Sequence, residues 1–263
     1  MQRTEDIAFI DLDWCGRPVR LEHQWLRPGR RERPLVVFLH EGLGSLAAWK
    51  DFPRRLCAAA DLRGLVWSRP GYGRSTPRAP GERWPADYLH RQARELLPLL
   101  LEALGVDEPP WLFGHSDGGS IALVFAATFP QAAAGIVVVA PHIDVEPFAL
   151  PGLRAARAAY ATTLRARLAR HHADVDSAFF GWNDTWLDPG FARFFDLKPL
   201  LPAIACPVLA VQGVGDEYGT LAQIRGIAHA VPQTVLLELA DCGHSPHRDQ
   251  PERLIEAVAR FVR

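Results

Sequence analysis

One serine of this chain stands in a setting that could turn its hydroxyl into a nucleophile. Ser116 lies at the centre of the pentapeptide Gly114-His115-Ser116-Asp117-Gly118, between a short apolar run and an apolar stretch of helical composition. This order predicts a sharp turn from a buried strand into a helix, with the serine at its apex. Glycines two residues to either side remove the Cβ atoms that would clash there. The pattern indicates acyl-group chemistry, and the alternative is a tight glycine turn with an incidental serine.

A nucleophilic serine needs a base that accepts its proton, and His244 is the best candidate among the ten histidines. It follows the last predicted strand, 234–239, on a loop at the carboxyl edge of the sheet, where the sites of such sheets lie. His247 is the main alternative, three residues further along. His244 is preferred because Gly243 permits a tight loop just before it.

The base in turn needs a carboxylate that orients its ring, and Asp216 is the candidate for this role. It follows the predicted strand 207–211, and two glycines before it let the chain turn at the sheet edge. Glu217 and Asp241 are the alternatives. Asp216 could also serve only as a helix cap, which is a common role for aspartate before a helix.

Two backbone amides are expected to hold the negative charge that develops on a reacting carbonyl oxygen. One is the Gly42 amide, in the glycine-containing loop 39–45 that follows the predicted strand 34–39. The other is the Asp117 amide, at the start of the helix that follows the serine. Each such donor typically lowers the barrier by roughly 3 kcal/mol. The same loop lacks the glycine patterns of nucleotide-binding proteins, so a phosphate site is not expected there.

The elements that must position these residues alternate between strand and helix, which predicts a mostly parallel, doubly wound sheet of an α/β protein. A strand pair at the N-terminus would add an antiparallel edge. The predicted strands are 7–14, 17–26, 34–39, 64–67, 111–113, 135–140, 207–211 and 234–239, and the predicted helices are 46–60, 88–104, 120–129, 221–230 and 252–262.

The alternation breaks between residues 142 and 205, which predicts a helical cap inserted into a core formed by residues 1–141 and 206–263. The insert has helical spacing over 153–170 and is then rich in aromatic residues. Most of these aromatics would fix the cap to the core. Phe179, Trp182 and Trp186 are the candidates for contact with a substrate.

Composition excludes several classes of partner. The formal net charge of −1 at pH 7 over 263 residues provides no basic field for nucleic acid or anionic lipid. No run of 18 apolar residues and no apolar leader is found, and the four cysteines are widely spaced. We therefore expect a cytoplasmic monomer or homodimer that acts on a small molecule without a membrane, a metal ion or an organic cofactor.

Taken together, these motifs resemble those of the α/β-hydrolase superfamily over nearly the full chain. The motifs are His40-Glu41-Gly42 with Trp49 beyond it, Arg69-Pro70-Gly71-Tyr72-Gly73-Arg74-Ser75, the pentapeptide 114–118, the Asp216 loop, and Gly243-His244-Ser245-Pro246-His247-Arg248-Asp249-Gln250-Pro251-Glu252. The resemblance implies an α/β-hydrolase fold with an eight-stranded sheet and a small helical cap. It also implies Ser116 as nucleophile, His244 as base and Asp216 as its partner.

Two charged residues near the expected site need a role. Glu41 stands where members of the superfamily usually carry glycine, and a carboxylate beside an oxyanion hole opposes negative charge unless it is paired or points away. Arg69 could bind a substrate carboxylate, or pair with Glu41 or Asp117, and the structural pair is preferred. Glu41, Arg69 and His247 are retained as candidate substrate contacts.

The expected function is a serine hydrolase that cleaves a carboxylic ester of a small apolar or aromatic acyl group through an acyl-enzyme. Two alternatives use the same residues, namely C–C bond hydrolysis of a ring-cleavage product and thioester hydrolysis or acyl transfer. A non-catalytic ligand receptor on the same fold is a third alternative, disfavoured by the complete set of catalytic residues.

Overall fold

An eight-stranded sheet forms the centre of the computed structural model, which describes residues 5–263. The strands are β1 (Ile7–Trp14), β2 (Arg17–Leu26), β3 (Leu35–Leu39), β4 (Arg63–Trp67), β5 (Trp111–His115), β6 (Gly135–Val139), β7 (Val208–Gly213) and β8 (Thr234–Leu239). Their order across the sheet is β1-β2-β4-β3-β5-β6-β7-β8. β2 runs antiparallel to β1 and β4, and the other neighbouring pairs are parallel. The predicted fold class, with its antiparallel N-terminal edge, is confirmed.

The register of the central strands brings the loops that carry the chemistry to one edge. Leu39 at the end of β3 pairs with Gly114 of β5, and His115 pairs with Val139 at the end of β6. Val139 in turn pairs with Val211 of β7. Because these four strands are parallel and end at nearly the same level, the loops that follow them lie side by side.

Helices cover both faces of the sheet. They are α1 (Phe52–Ala59), α2 (Tyr88–Arg91), α3 (Leu97–Ala103), α4 (Asp117–Thr128), α5 (Leu150–Ala159), α6 (Arg165–Leu168), α7 (Val175–Trp186), α8 (Pro189–Phe194), α9 (Ala222–Ala230), α10 (Pro246–Asp249) and α11 (Pro251–Phe261). Short π-helical segments, Gln92–Leu96 and Tyr160–Leu164, join α2 to α3 and α5 to α6. Within residues 5–263, no helix is long and apolar enough to cross a membrane.

Two apolar cores lie on opposite faces, because successive side chains of a strand point to opposite sides. Leu35 and Val37 of β3 belong to the core that α3, α4 and α9 cover. Val36 and Phe38 belong to the core under α1 and α11. All five side chains of β3 are buried, which explains why this strand appears in the sequence as an unbroken apolar run.

The predicted helix 46–60 differs from the observed structure. It divides into a 3₁₀ turn, Ala47–Trp49, and α1, which begins at Phe52. Lys50 separates the two with a φ of 54°, which no helix can include. Residues 1–4, on which the expectation about a leader partly rests, lie outside the described residues.

The segment between β6 and β7 contains α5 to α8. The predicted helical spacing over 153–170 corresponds to α5, its π-helical continuation and α6. The helices α7 and α8, which carry most of the aromatic residues, follow this stretch and were not predicted individually. Each begins at an aspartate whose side chain accepts a backbone N–H of the first turn, Asp174 from Ser177 and Asp188 from Gly190.

Candidate active site

Ser116 lies at the apex of a strained turn between β5 and α4. Its backbone has a φ of 52° and a ψ of −116°, a region that residues with a side chain rarely adopt. The flanking glycines are required by close packing. A Cβ on Gly118 would lie 1.9 Å from the carbonyl oxygen of Leu39, and one on Gly114 would lie 2.2 Å from that of Gly118. The turn predicted from the sequence is therefore present.

His244 and Asp216 are brought together from two loops that are 28 residues apart. The Nδ1 atom of His244 lies 2.9 Å from both carboxylate oxygens of Asp216. A hydrogen on Nδ1 would be donated to this carboxylate, which leaves Nε2 free to accept a proton. The contact is the one that orients the imidazole in acyl-transfer sites.

Asp216 is held as a buried anion. Burial by itself would raise the pKa of this carboxyl, but the hydrogen bond and charge of His244 lower it, with help from the Tyr218 N–H. The Tyr218 N–H donates to Oδ1 at 2.8 Å, and Gln212 Nε2 donates to Oδ2 at 3.1 Å. At neutral pH Asp216 therefore carries a negative charge beside the imidazole.

A small cavity of about 110 Å³ includes both Ser116 and His244 in its wall. Its walls are mostly apolar, and several come from the segment between β6 and β7. The lining residues are Glu41, Gly42, Leu43, Ser116, His142, Ala149, Leu153, Trp182, Trp186, Tyr218 and His244. Across residues 5–263, no group of three or more His, Cys, Asp or Glu side chains is arranged to hold a metal ion.

The two expected amide donors lie close to Ser116. Gly42 forms part of the cavity wall, and the indole of Trp182 lies directly on its backbone. A Cβ on Gly42 would be 2.1 Å from Trp182 Cδ1, so only glycine fits at this position. Asp117 is the first residue of α4, where an amide has no partner within the helix.

Arg69 is completely buried and does not line the cavity. Its Nη2 donates to the carbonyl oxygen of Glu41 at 2.9 Å and lies 3.4 Å from Asp117 Oδ2. Its Nη1 donates to Gln92 Oε1 at 2.9 Å. Of the two roles considered for Arg69, the structure therefore favours the internal pair over contact with a substrate carboxylate.

His40 supports the same carbonyl oxygen. Its Nε2 accepts the Arg69 N–H at 3.1 Å, so its Nδ1 carries the hydrogen and donates to Glu41 O at 2.7 Å. Burial and the charge of Arg69 lower the pKa of His40 well below its ordinary value, so the ring is neutral. The carbonyl of Glu41 and the N–H of Gly42 share one rigid peptide plane. Fixing the oxygen therefore fixes the direction of the Gly42 N–H.

Glu41 is a residue of the cavity wall, and its carboxylate is paired with two residues that do not line the cavity. Its Oε2 lies 3.4 Å from His115 Nδ1, and its Oε1 lies 3.3 Å from Arg248 Nη2. Burial by itself would raise the pKa of Glu41, but the hydrogen bond and charge of His115, with Arg248 and His247 beyond, lower it well below its usual range. The cavity wall thus includes a carboxylate.

His247 does not reach the cavity. Its side chain is buried, with its ring 5.0 Å from that of Trp49, 4.8 Å from that of His115 and 5.7 Å from that of Phe52. It is the second residue of the short helix α10, which begins at Pro246, and its ring packs beside residues of the core under α1. The structure does not support His247 as a substrate contact, and of the two histidines considered as the base, His244 is the one that lines the cavity.

Phe179 also lies away from the cavity, unlike the other two aromatic candidates. Its ring stacks on that of Tyr160 at 4.0 Å and is fully buried. Trp182 and Trp186 line the cavity because residues four apart share a face of α7. Phe179 therefore packs inside the inserted segment, whereas the two tryptophans remain candidate substrate contacts.

His142 is a cavity residue that sequence reasoning missed. It follows β6 closely, at the same carboxyl edge as the other loops, so the rule that found His244 could have found it. Its ring lies 5.8 Å from the ring of His244 and 4.9 Å from that of Trp186. Burial, and then the charge of His244, lower the pKa of His142 to about 3, so it is neutral at physiological pH. Leu43, Ala149, Leu153 and Tyr218 were missed as well.

Known proteins that this chain is similar to in sequence include a polyketide synthase and a serine hydrolase. The chain is 30% identical over 267 residues to the polyketide synthase ThaQ of Burkholderia thailandensis, covering 90% of this chain and 12% of that protein. It is 30% identical over 161 residues to the human serine hydrolase BPHL, covering 58% of this chain and 53% of BPHL. The chain thus spans little of the first relative and about half of the second.

The fold is shared with solved structures at lower identity. An esterase from Thermogutta terrifontis superposes with a TM-score of 0.74 at 20% identity, covering 97% of this chain and 98% of that one. Residues 36–257 match the model of the alpha/beta hydrolase family. With this match over most of its length, and with the fold and the strained serine turn described above, the chain belongs to the alpha/beta hydrolase family.

Proposed function

We propose that this protein is a serine hydrolase that cleaves a carboxylic ester through an acyl-enzyme on Ser116. The observation that carries the proposal is the contact of His244 Nδ1 with both Asp216 oxygens at 2.9 Å, in a loop whose imidazole lines the same cavity as Ser116. An oriented imidazole that shares a cavity with a serine at a strained turn supports activation of the hydroxyl.

In the first half of the reaction, Ser116 Oγ attacks the ester carbonyl carbon and His244 Nε2 takes the hydroxyl proton. The carbonyl oxygen becomes an oxyanion, held by the N–H groups of Gly42 and Asp117. Collapse of this intermediate breaks the bond to the alcohol oxygen. His244 returns the proton to that oxygen, and the acyl group remains on Ser116.

In the second half, a water molecule attacks the acyl carbon while His244 Nε2 accepts one of its protons. The same two amides hold the second oxyanion. Breaking the bond to Ser116 Oγ releases the acid, and His244 gives the proton back to the serine. Asp216 remains ionised throughout and stabilises the imidazolium in both halves.

The cavity supports a small apolar or aromatic acyl group. Its volume of about 110 Å³ limits the acyl group to a small one, since an engineered cavity of 150 Å³ in another protein holds one benzene molecule. Ala149, Leu153, Trp182 and Trp186 provide apolar and aromatic surface on its walls. These four residues would form the cap over the acyl group.

The experiment is labelling with a fluorophosphonate probe, which reacts only with an activated serine. Wild type should be labelled, and Ser116→Ala should not, while its thermal unfolding temperature stays near that of wild type. Ser120→Ala is the matched control, because Ser120 lies buried in α4 and bonds the carbonyl of His142. A wild type that is not labelled would favour the receptor alternative.

A second screen separates the reaction types that share this machinery. Purified protein is assayed on p-nitrophenyl esters, acyl-CoA thioesters and vinylogous diketones, each with Ser116→Ala as blank. Higher kcat/KM on short-chain or aromatic esters is expected. A higher kcat/KM on thioesters would instead indicate thioester hydrolysis, and a higher kcat/KM on diketones would indicate C–C bond hydrolysis.

A further inference from the structure

The charge in the wall of the cavity is negative. Glu41 lines it as a carboxylate, with a side chain 17% exposed. Among the described residues that line it, none is a lysine or arginine. His142, which could supply a positive charge, is kept neutral by burial and by its histidine neighbour, because its pKa is lowered to about 3. The triad carboxylate, Asp216, lies behind His244 and outside the lining.

The groups that pair with Glu41 lie away from the substrate side. His115 is buried and does not line the cavity, with its Nδ1 3.4 Å from Oε2 and its Nε2 2.7 Å from the carbonyl oxygen of His244. Arg248 is half-exposed, with 47% of its side chain in solvent, so water screens its charge. Of the three residues Glu41, His115 and Arg248, Glu41 alone lines the cavity.

The position of Glu41 is fixed by its surroundings. A Cβ on Gly44 would lie 2.4 Å from Glu41 Oε2, so the carboxylate packs directly on the backbone of its own loop. The same residue provides the carbonyl oxygen that Arg69 and His40 hold. The side chain cannot leave the cavity wall without breaking both contacts of its carboxylate, to His115 and to Arg248.

We infer that Glu41 makes the acyl pocket selective for charge, so that it accepts neutral or cationic acyl groups and rejects those that carry a carboxylate. This inference rests on the proposed function. A second negative charge brought into a small, largely apolar cavity is repelled by Glu41 and finds no cation to compensate its lost hydration. A carboxylate also accepts hydrogen bonds only, so Glu41 suits acyl groups that carry an O–H or N–H donor.

The test uses two esters of the same shape that differ in charge. They are p-nitrophenyl hydrogen glutarate, which carries a terminal carboxylate, and p-nitrophenyl glutaramate, which carries a terminal amide. For wild type at neutral pH, kcat/KM should be at least about tenfold higher for the amide ester after subtraction of spontaneous hydrolysis. In Glu41→Gln, the ratio should fall to within about threefold of one.

Glu217→Gln is the matched control, because it also removes one negative charge. The Glu217 carboxylate accepts the backbone N–H of His244 at 3.2 Å but does not line the cavity. For this control, the ratio of kcat/KM between the amide ester and the carboxylate ester should equal that of wild type. Equal kcat/KM for the two esters in wild type, or an unchanged ratio in Glu41→Gln, would overturn the inference.

A binding measurement keeps the inference testable if the protein proves not to be an esterase. The ethyl esters of the same two acids are titrated into Ser116→Ala, and quenching of tryptophan fluorescence reports their entry beside Trp182 and Trp186. The amide ester should bind at least about tenfold more tightly, and Glu41→Gln in the same background should reduce this preference. Equal affinities would refute the charge rule, whereas a preference without any turnover would refute only the proposed reaction.

Discussion

Nη2 of Arg69 donates a hydrogen bond of 2.9 Å to the carbonyl oxygen of Glu41, the residue that precedes Gly42. The same nitrogen lies 3.4 Å from a carboxylate oxygen of Asp117. One buried guanidinium thus contacts both residues whose loops provide the expected amide donors, Gly42 through its shared peptide plane and Asp117 through its side chain. We expect Arg69 to act as a positioning residue for the two donors.

Arg69→Gln should lower kcat by about 10- to 100-fold and change KM by less than about threefold, because misplaced donors weaken the transition state more than the ground state. The variant should also lose about 3 kcal/mol of stability, since Asp117 is left buried with one charge partner fewer. The kinetics are measured on the fraction that a fluorophosphonate titrates. Arg225→Gln, which removes an exposed arginine paired with Glu238, is the control. A folded Arg69→Gln with wild-type kcat would contradict the positioning role.

The assignment of the base can be tested by comparing two nearby histidines. His244→Ala should lower kcat by about 10⁴-fold or more, because the serine then has no proton acceptor. His247→Ala should keep kcat within about tenfold and lower the thermal unfolding temperature, since it leaves a hole beside Trp49 and Phe52. Steady-state kinetics and thermal unfolding of both variants distinguish the base from the structural histidine. Equal losses of kcat would show that the base has been misassigned.

The orienting carboxylate can be tested by an isosteric change. Asp216→Asn should lower kcat by about 10⁴-fold with the fold intact, because an amide in this position misorients the imidazole and cannot stabilise its cation. Glu217→Gln should reduce kcat far less, because Glu217 Oε2 accepts the backbone N–H of His244, whereas the ring nitrogen faces Asp216. The measurement is kcat on the best ester of the screen. If Glu217→Gln were the more damaging change, the orienting residue would be Glu217.

The stability of the protein should fall in acid, partly because of His142. Burial and the neighbouring His244 lower its pKa to about 3 in the folded protein, whereas an unfolded histidine has a pKa of about 6.5. Between these values only the unfolded chain binds the proton, so the free energy of unfolding falls as the pH falls. The contribution is complete above about pH 6.5.

His142→Gln should flatten this slope by up to about 1.4 kcal/mol per pH unit, as measured by urea unfolding between pH 7 and pH 4. Other buried histidines with a lowered pKa keep part of the slope: His23, His40, His90, His172 and His247. His229→Gln, which removes an exposed histidine of α9, is the control. An unaltered slope in His142→Gln would mean that this ring gains a proton in the folded state.

The strands and the serine turn were predictable because their causes are local. An unbroken apolar run such as β3 indicates a strand buried on both faces, and the glycines around Ser116 indicate a backbone that only they permit. The loop containing Asp216 and that containing His244 were found from their places after strands. Parallel strands deliver such loops to one edge whatever their separation in sequence.

The orientation of side chains within the site was decided only by the tertiary structure. The sequence makes Phe179, Trp182 and His247 equally plausible substrate contacts. Of these three, only Trp182 lines the cavity, because the other two pack against aromatic rings from other segments. Arg69 was readable as a ligand of substrate until its buried partners were known. Local backbone preference and hydrophobic pattern therefore determined which loops meet. Packing between elements far apart in the chain decided which atoms face the cavity, because a side chain's direction depends on neighbours that its own segment does not contain.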